Sequence, residues 1–132
     1  MLASTGTGTL GKAAVYEAKE PAVADGHVTI VRVDPAVVAP RYLADYLRAG
    51  FGREQIERLY TGSTGLIELT PSQVDAITVD LPSPATQRAA SATLRRRERA
   101  CQKASRSAAE KLKAARIAFA GDHPGDSDYQ HG

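Results

Sequence analysis

Few side chains in this sequence have a type and spacing that could carry chemistry. Gly6-Thr7-Gly8-Thr9-Leu10-Gly11-Lys12 satisfies G-x-x-x-x-G-K, the pattern of a loop that cradles phosphate with backbone N–H groups and a lysine. That chemistry needs a buried strand before the loop and a helix N-terminus after it, facing the phosphate. Five residues precede Gly6, Ala13 stands where a magnesium-holding Ser or Thr belongs, and the following Ala-Ala-Val-Tyr-Glu-Ala is as readily strand as helix. The overlapping G-x-G-x-x-G match lacks a preceding strand in the same way, so a glycine turn feeding a strand is the simpler reading. A second glycine loop, Thr61-Gly62-Ser63-Thr64-Gly65, offers hydroxyls and N–H groups of the kind that meet phosphates and base edges, or that cap neighbouring elements. The single cysteine, Cys101, excludes an internal disulfide and a zinc cluster. No histidine lies near it in sequence to activate it, so it reads as a small core residue. His27 opens a predicted strand, and His123 and His131 fall in a polar tail. No constellation for catalysis, cofactor or metal emerges, and the expectation is a protein that is not an enzyme.

The charge pattern is more informative. Through Ser83 there are 7 Lys/Arg against 10 Asp/Glu, whereas Pro84 to Phe119 carries 10 against 2. The overall +2 therefore conceals a basic segment with Arg95, Arg96, Arg97, Arg99, Lys103 and Arg106 at its centre. Such a segment attracts polyanions through their phosphates, or pairs with an acidic partner protein.

These residues need elements to hold them. At 132 residues the chain has room for one modest core, and with aromatics at only 5% much of its apolar content is Ala, which buries little area. No apolar run approaches the ~20 residues of a membrane span, and no secretory leader is evident, so a cytoplasmic protein is expected. The predicted strands are Lys12–Ala18, His27–Asp34, Leu66–Leu69 and Ala76–Leu81. The predicted helices are Arg41–Ala49, with Tyr42, Leu43, Tyr46 and Leu47 as its apolar stripe, and Arg53–Tyr60, with Gly50 and Gly52 breaking the two apart. Glu54 and Arg58 form a favourable i, i+4 pair. Thr70-Pro71 reads as an N-cap with Pro at the first helical position, and Pro84 as the opening of another helix.

From Ala85 to Phe119 neither Gly nor Pro interrupts the chain, which predicts one long helix. An apolar seam runs through Ala90, Leu94, Arg97, Cys101, Ala104, Ala108, Leu112, Ala115 and Phe119 in steps of three and four. Its knobs are mostly Ala, so a closely packed partner helix is required. The fold class expected is α+β: a small mixed α/β body at 1–83, a long coiled-coil-type helix at 84–120, and a disordered tail at 121–132.

One stretch resembles a known family. Thr61-Gly62-Ser63-Thr64-Gly65, then Val74, Ile77, Val79, Leu81-Pro82 and Gln87, looks like the end of a target recognition domain from the specificity subunit of a type I restriction-modification system. Gly8-Thr9-Leu10-Gly11-Lys12 and Pro40-Arg41-Tyr42-Leu43, with Tyr46-Leu47, sit upstream in the matching order, so the resemblance spans roughly residues 6–115. It implies a non-catalytic subunit that binds double-stranded DNA and docks a DNA methyltransferase subunit, with a restriction subunit as a further partner. It implies DNA contacts at Thr9, Lys12, His27, Arg58, Thr61, Ser63 and Thr64, and a spacer helix at Ala85–Phe119. Such subunits generally hold two recognition domains, and this chain is too short for both. A piece of such a subunit is one expectation; a half-size subunit that dimerises through its C-terminal helix is another. A helical interaction protein without DNA specificity and a nucleotide-binding protein using Gly6–Lys12 complete the alternatives.

Overall fold

The structure, a computed structural model, describes residues 2–3, 10–61 and 68–122. Among them run β1 (Leu2–Ala3), β2 (Val28–Thr29), α1 (Pro40–Arg48), α2 (Gly50–Thr61), α3 (Pro71–Asp75) and α4 (Pro84–Asp122). The chain divides into two compact units, 1–92 and 93–132. The architecture is mixed but mostly helical, and the long helix is present.

The strands are shorter than their β-branched composition predicts. β1 and β2 pair antiparallel, Leu2 with Thr29 and Ala3 with Val28, and Leu2 also forms an isolated antiparallel bridge with Ala13. The rest of Lys12–Ala18 and His27–Asp34 lies outside any ladder of described residues. Of Leu66–Leu69, the first two residues fall outside the described set, Glu68 makes a single bridge, and Leu69 is buried. Ala76–Leu81 is not a strand. Its backbone is met by a side chain instead: Gln55 Nε2 donates to the Thr78 carbonyl at 2.8 Å, and Thr78 N–H donates to Gln55 Oε1 at 2.9 Å.

The helices follow local chemistry more closely. Thr70 caps α3 with a complete capping box: Gln73 N–H donates to Thr70 Oγ1 at 3.3 Å, and Thr70 N–H donates to Gln73 Oε1 at 2.9 Å. Pro71 occupies the first helical turn, where its missing N–H has no helical partner to lose. α1 and α2 meet at Ala49 and Gly50, and Gly50 supplies the positive φ of +55° that turns the chain. Gly52 does not break a helix; it lies inside α2. A Cβ there would sit 2.2 Å from the Tyr46 carbonyl oxygen, so only glycine lets the two helices approach this closely.

Leu2, Leu10, Ala13, Ala44, Leu47, Ile56 and Leu69 form the core, with Val15, Val31, Leu43, Leu59, Val74 and Ile77 packed against it. Tyr42 and Tyr46 sit beside rather than inside it, their rings 6.0 Å apart. The Tyr42 hydroxyl donates to the Asp80 carbonyl at 2.9 Å, tying α1 to the extended segment after α3.

α4 begins as its sequence predicts. Thr86 N–H donates to Ser83 Oγ at 3.2 Å and Gln87 N–H to the Ser83 carbonyl at 2.9 Å, with Pro84 in the first turn. Its opening turns belong to the first compact unit, where Gln87 and Ser91 are buried. The seam drawn through Ala90 is therefore corrected: Ala90 is exposed, and the face one residue away meets the body. Gly121 and Asp122 are helical, not tail, and the remainder of the tail lies outside the described residues. No helix among the described residues is long and apolar enough to cross a membrane.

Candidate nucleic-acid interface

Two of the sequence-predicted contacts reach one end of the small ladder. Leu2 is bracketed by Ala13 and Thr29, and both neighbours run antiparallel to it. Continuing these registers by one residue sets Lys12 and Val28 on either side of Ala3, about 10 Å apart at the usual strand spacing. His27 follows one step further along. Lys12 and His27 are both exposed. The loop before Lys12 is anchored from α2: Arg53 Nη1 donates to the Leu10 carbonyl at 2.9 Å while its Nε meets Glu57 at 2.8 Å. Gly11, at φ +76°, packs so tightly that a Cβ would fall 2.6 Å from the Arg53 guanidinium. His27 is fixed by its own turn, its N–H donating to Asp25 Oδ1 at 2.9 Å.

Arg58 is exposed on α2 and pairs with Glu54 at 3.8 Å, the i, i+4 relationship expected from the sequence. Thr61 ends α2. Thr9, Ser63 and Thr64 lie outside the described residues, as do Gly6 and Gly8. The phosphate-loop alternative meets a plain obstacle. Lys12 leads into the bridge at Ala13 and an extended segment, so no helix N-terminus comes after it.

The second unit supplies the basic surface. Arg95, Arg96, Arg97, Arg99, Lys103 and Arg106 are all exposed. At about 100° per residue they do not share one face. Arg95, Arg99, Arg106 and Lys113 fall within about 40° of each other, with Lys103 at the border of that stripe. Arg96 lies to the side, its guanidinium donating to Thr93 Oγ1 at 3.4 Å. Arg97 projects from the opposite side, among Leu94, Cys101, Ala108, Leu112 and Phe119. Sequence reasoning groups the six basic residues by proximity and misses Lys113. The signal is present in the spacings of four and seven along 95, 99, 106 and 113.

The apolar seam is open. Leu112 and Phe119 are 53% and 68% exposed, and Ala108 is exposed as well. Cys101 corrects the expectation of a core residue: it is an exposed free thiol. α4 thus carries a cationic stripe and a small-residue apolar seam on opposed sides of one helix.

Comparison with protein-family models, with curated proteins and with solved structures gives no match for this chain.

Among the described residues, no three His, Cys, Asp or Glu side chains gather as a metal site would require. The buried carboxylate of Asp45 is held through Oδ1 by Arg48 at 2.5 Å, one turn on in α1. The Tyr42 hydroxyl is pushed above its ordinary 10.0 by burial, with smaller contributions from Tyr46 and Asp80.

Proposed function

We propose that this chain is a non-catalytic DNA sequence-recognition module of a restriction-modification system. It directs a DNA methyltransferase, and a restriction subunit where one joins the assembly, to double-stranded target sites. The observation that carries the reading is the stripe of Arg95, Arg99, Arg106 and Lys113, exposed along about 27 Å of helix and without an ion-pair partner among the described residues. Unpaired guanidinium groups at this spacing suit a phosphate backbone, which supplies affinity without sequence information. Lys12 and His27, exposed at one end of the ladder, are the candidates for reading bases, together with Ser63 and Thr64 of the second glycine loop. In this reading the apolar seam of α4 packs against another helix, from the methyltransferase or from a second copy.

The test is a salt titration of binding to a random duplex pool, with and without a methyltransferase partner, and then sequencing of the bound fraction. Enrichment of a short half-site, lost in Lys12→Ala or in Ser63→Ala with Thr64→Ala, supports recognition. Binding no stronger than that of a charge-matched basic helix, with the partner present, sinks it.

A second reading rests on the exposed Leu112, Ile117 and Phe119. A helix that leaves such side chains uncovered also fits an oligomerisation protein whose basic stripe meets an acidic partner. Helix-mediated assembly without any duplex enrichment would favour it.

A further inference from the structure

Lys12 is an exposed residue between two fixed points. Before it, the Leu10 carbonyl accepts from Arg53 Nη1 at 2.9 Å; after it, Ala13 bridges to Leu2. Leu10 and Ala13 are buried, and only Gly11 and Lys12 lie between them. Gly11 is the soft joint of this segment, because nothing in a glycine itself favours its φ of +76° over negative values. The restraint comes from α2. The Leu10 carbonyl belongs to the planar peptide unit that joins Leu10 to Gly11, so the bond from Arg53 sets the tilt of that plane. The guanidinium also closes over Gly11: a Cβ there would lie 2.6 Å from Arg53 Nη1 and 2.9 Å from Cγ2 of the fully buried Ile56.

Arg53 is oriented in its turn. Its Nε donates to Glu57 Oε1 at 2.8 Å, one turn further along α2, while Nη1 reaches Leu10. Two bonds from one planar fork fix the group in a way that a lysine ammonium, a single point donor, does not copy. These two bonds direct the fork at the chain's own carbonyl and carboxylate, unlike the guanidinium groups of the α4 stripe.

We propose that Arg53 is the positioning residue for Lys12. Through its two-bonded fork it holds the Leu10–Gly11 peptide, and so sets the direction from which the Lys12 ammonium approaches a duplex, without itself touching the DNA. The role given to Lys12 rests on the proposed recognition of DNA; the hold on its backbone does not.

The test is made on the full chain with Arg53→Met, which keeps an apolar stem beside Gly11 and removes both donors. In backbone amide relaxation of the free protein, the order parameters of Gly11 and Lys12 fall from about 0.85 toward about 0.6, while that of Ala44 in α1 stays. An unchanged Lys12 overturns the proposal whether or not the chain binds DNA. In selection from a random duplex pool, Arg53→Met loses enrichment at the same base positions as Lys12→Ala, with affinity for the enriched site about tenfold lower. Lys12→Ala combined with Arg53→Met loses no more than Lys12→Ala alone. Additive losses overturn the proposal and mark a general structural effect. On a non-specific duplex, Arg53→Met keeps the parent's slope of log K against log salt; a slope lower by about one overturns it and makes Arg53 a phosphate contact. Should Arg53→Met fail to fold, Arg53→Lys retains stem and charge but serves only one acceptor at a time, and Lys12 loosens part-way. A Lys12 as ordered in that variant as in the parent overturns the proposal. A parent chain that enriches no half-site sinks the recognition reading, and the relaxation result then decides the positioning alone.

Discussion

The side-chain amide of Gln87 reaches the N-cap residue of α1: its Oε1 accepts the Ala39 N–H at 2.8 Å, just before the helix. Its Nε2 donates to the carbonyls of Val37 at 3.0 Å and Pro82 at 2.9 Å. Ala39 has no side-chain oxygen to accept an N–H of the first turn of α1; Gln87, 48 positions away, satisfies Ala39's own N–H, and the first turns of α4 are fastened to the body as a result. Gln87→Ala orphans one N–H and removes a donor from two carbonyls. The expected loss is about 1–3 kcal/mol, read as a lower urea midpoint. Gln87→Glu keeps the size but turns an oxygen toward Val37 and Pro82, and should be no better at neutral pH. An unchanged midpoint in both variants would refute this account of the anchor.

The two glycines between α1 and α2 make opposite demands. Gly50→Ala enters open space but must hold φ +55°, a strain of about 1 kcal/mol. Gly52→Ala meets the Tyr46 carbonyl and should cost about 3 kcal/mol or more, at the upper end of overpacking. Thermal denaturation of the pair checks the order, and a milder Gly52 variant would mean that α2 shifts freely against α1.

Tyr42 gives a pH signature. Its hydroxyl ionises less readily in the folded chain, chiefly through burial, than its ordinary value of 10.0. The unfolded chain therefore loses this proton first. The contribution is fully present below pH 10.0 and disappears as pH rises through the higher folded value. Tyr42→Phe should be less stable at neutral pH, and the gap to the parent should narrow above pH 10.0. A gap that widens in alkali would reverse the sign and reject the argument.

For the helix, Leu94→Glu with Leu112→Glu should convert an oligomer to a monomer in sedimentation. A parent chain that is already monomeric at high concentration rules out self-association through the seam.

The stripe and the seam predict different salt behaviour. Arg106→Gln should lower the magnitude of the log K against log salt slope for duplex DNA by about one. Arg97→Gln, on the seam side, should leave that slope alone. Equal effects from both would remove the meaning assigned to the stripe.

The parts legible in the sequence are those settled by short-range chemistry. Thr70, Pro71 and Gln73 lie within four residues and write out a capping box, and Ser83-Pro84 does nearly the same for α4. Strands are over-predicted because β-branched composition reports a local preference, whereas a ladder needs a neighbour. Ala76–Leu81 has the composition, but Gln55 supplies one neighbour at a single point. Gln87 is visible in the sequence only as one letter of a resemblance; a contact across 48 residues leaves no local mark. Of the candidate site, the concentration of basic charge is legible, while the separation of Arg97 from Arg95, Arg99 and Arg106 requires helical angles to be traced residue by residue.

The burial of Gln87 and Ser91, with exposed side chains throughout 99–121, has an evolutionary consequence. The opening turns of α4 bury side chains in the body, whereas every side chain from 99 to 121 is exposed. Along 99–121, where each side chain is exposed, substitutions cost the helix little. Selection on the charged stripe and the small-residue seam is then free to track whatever they meet, while the core evolves at its own pace.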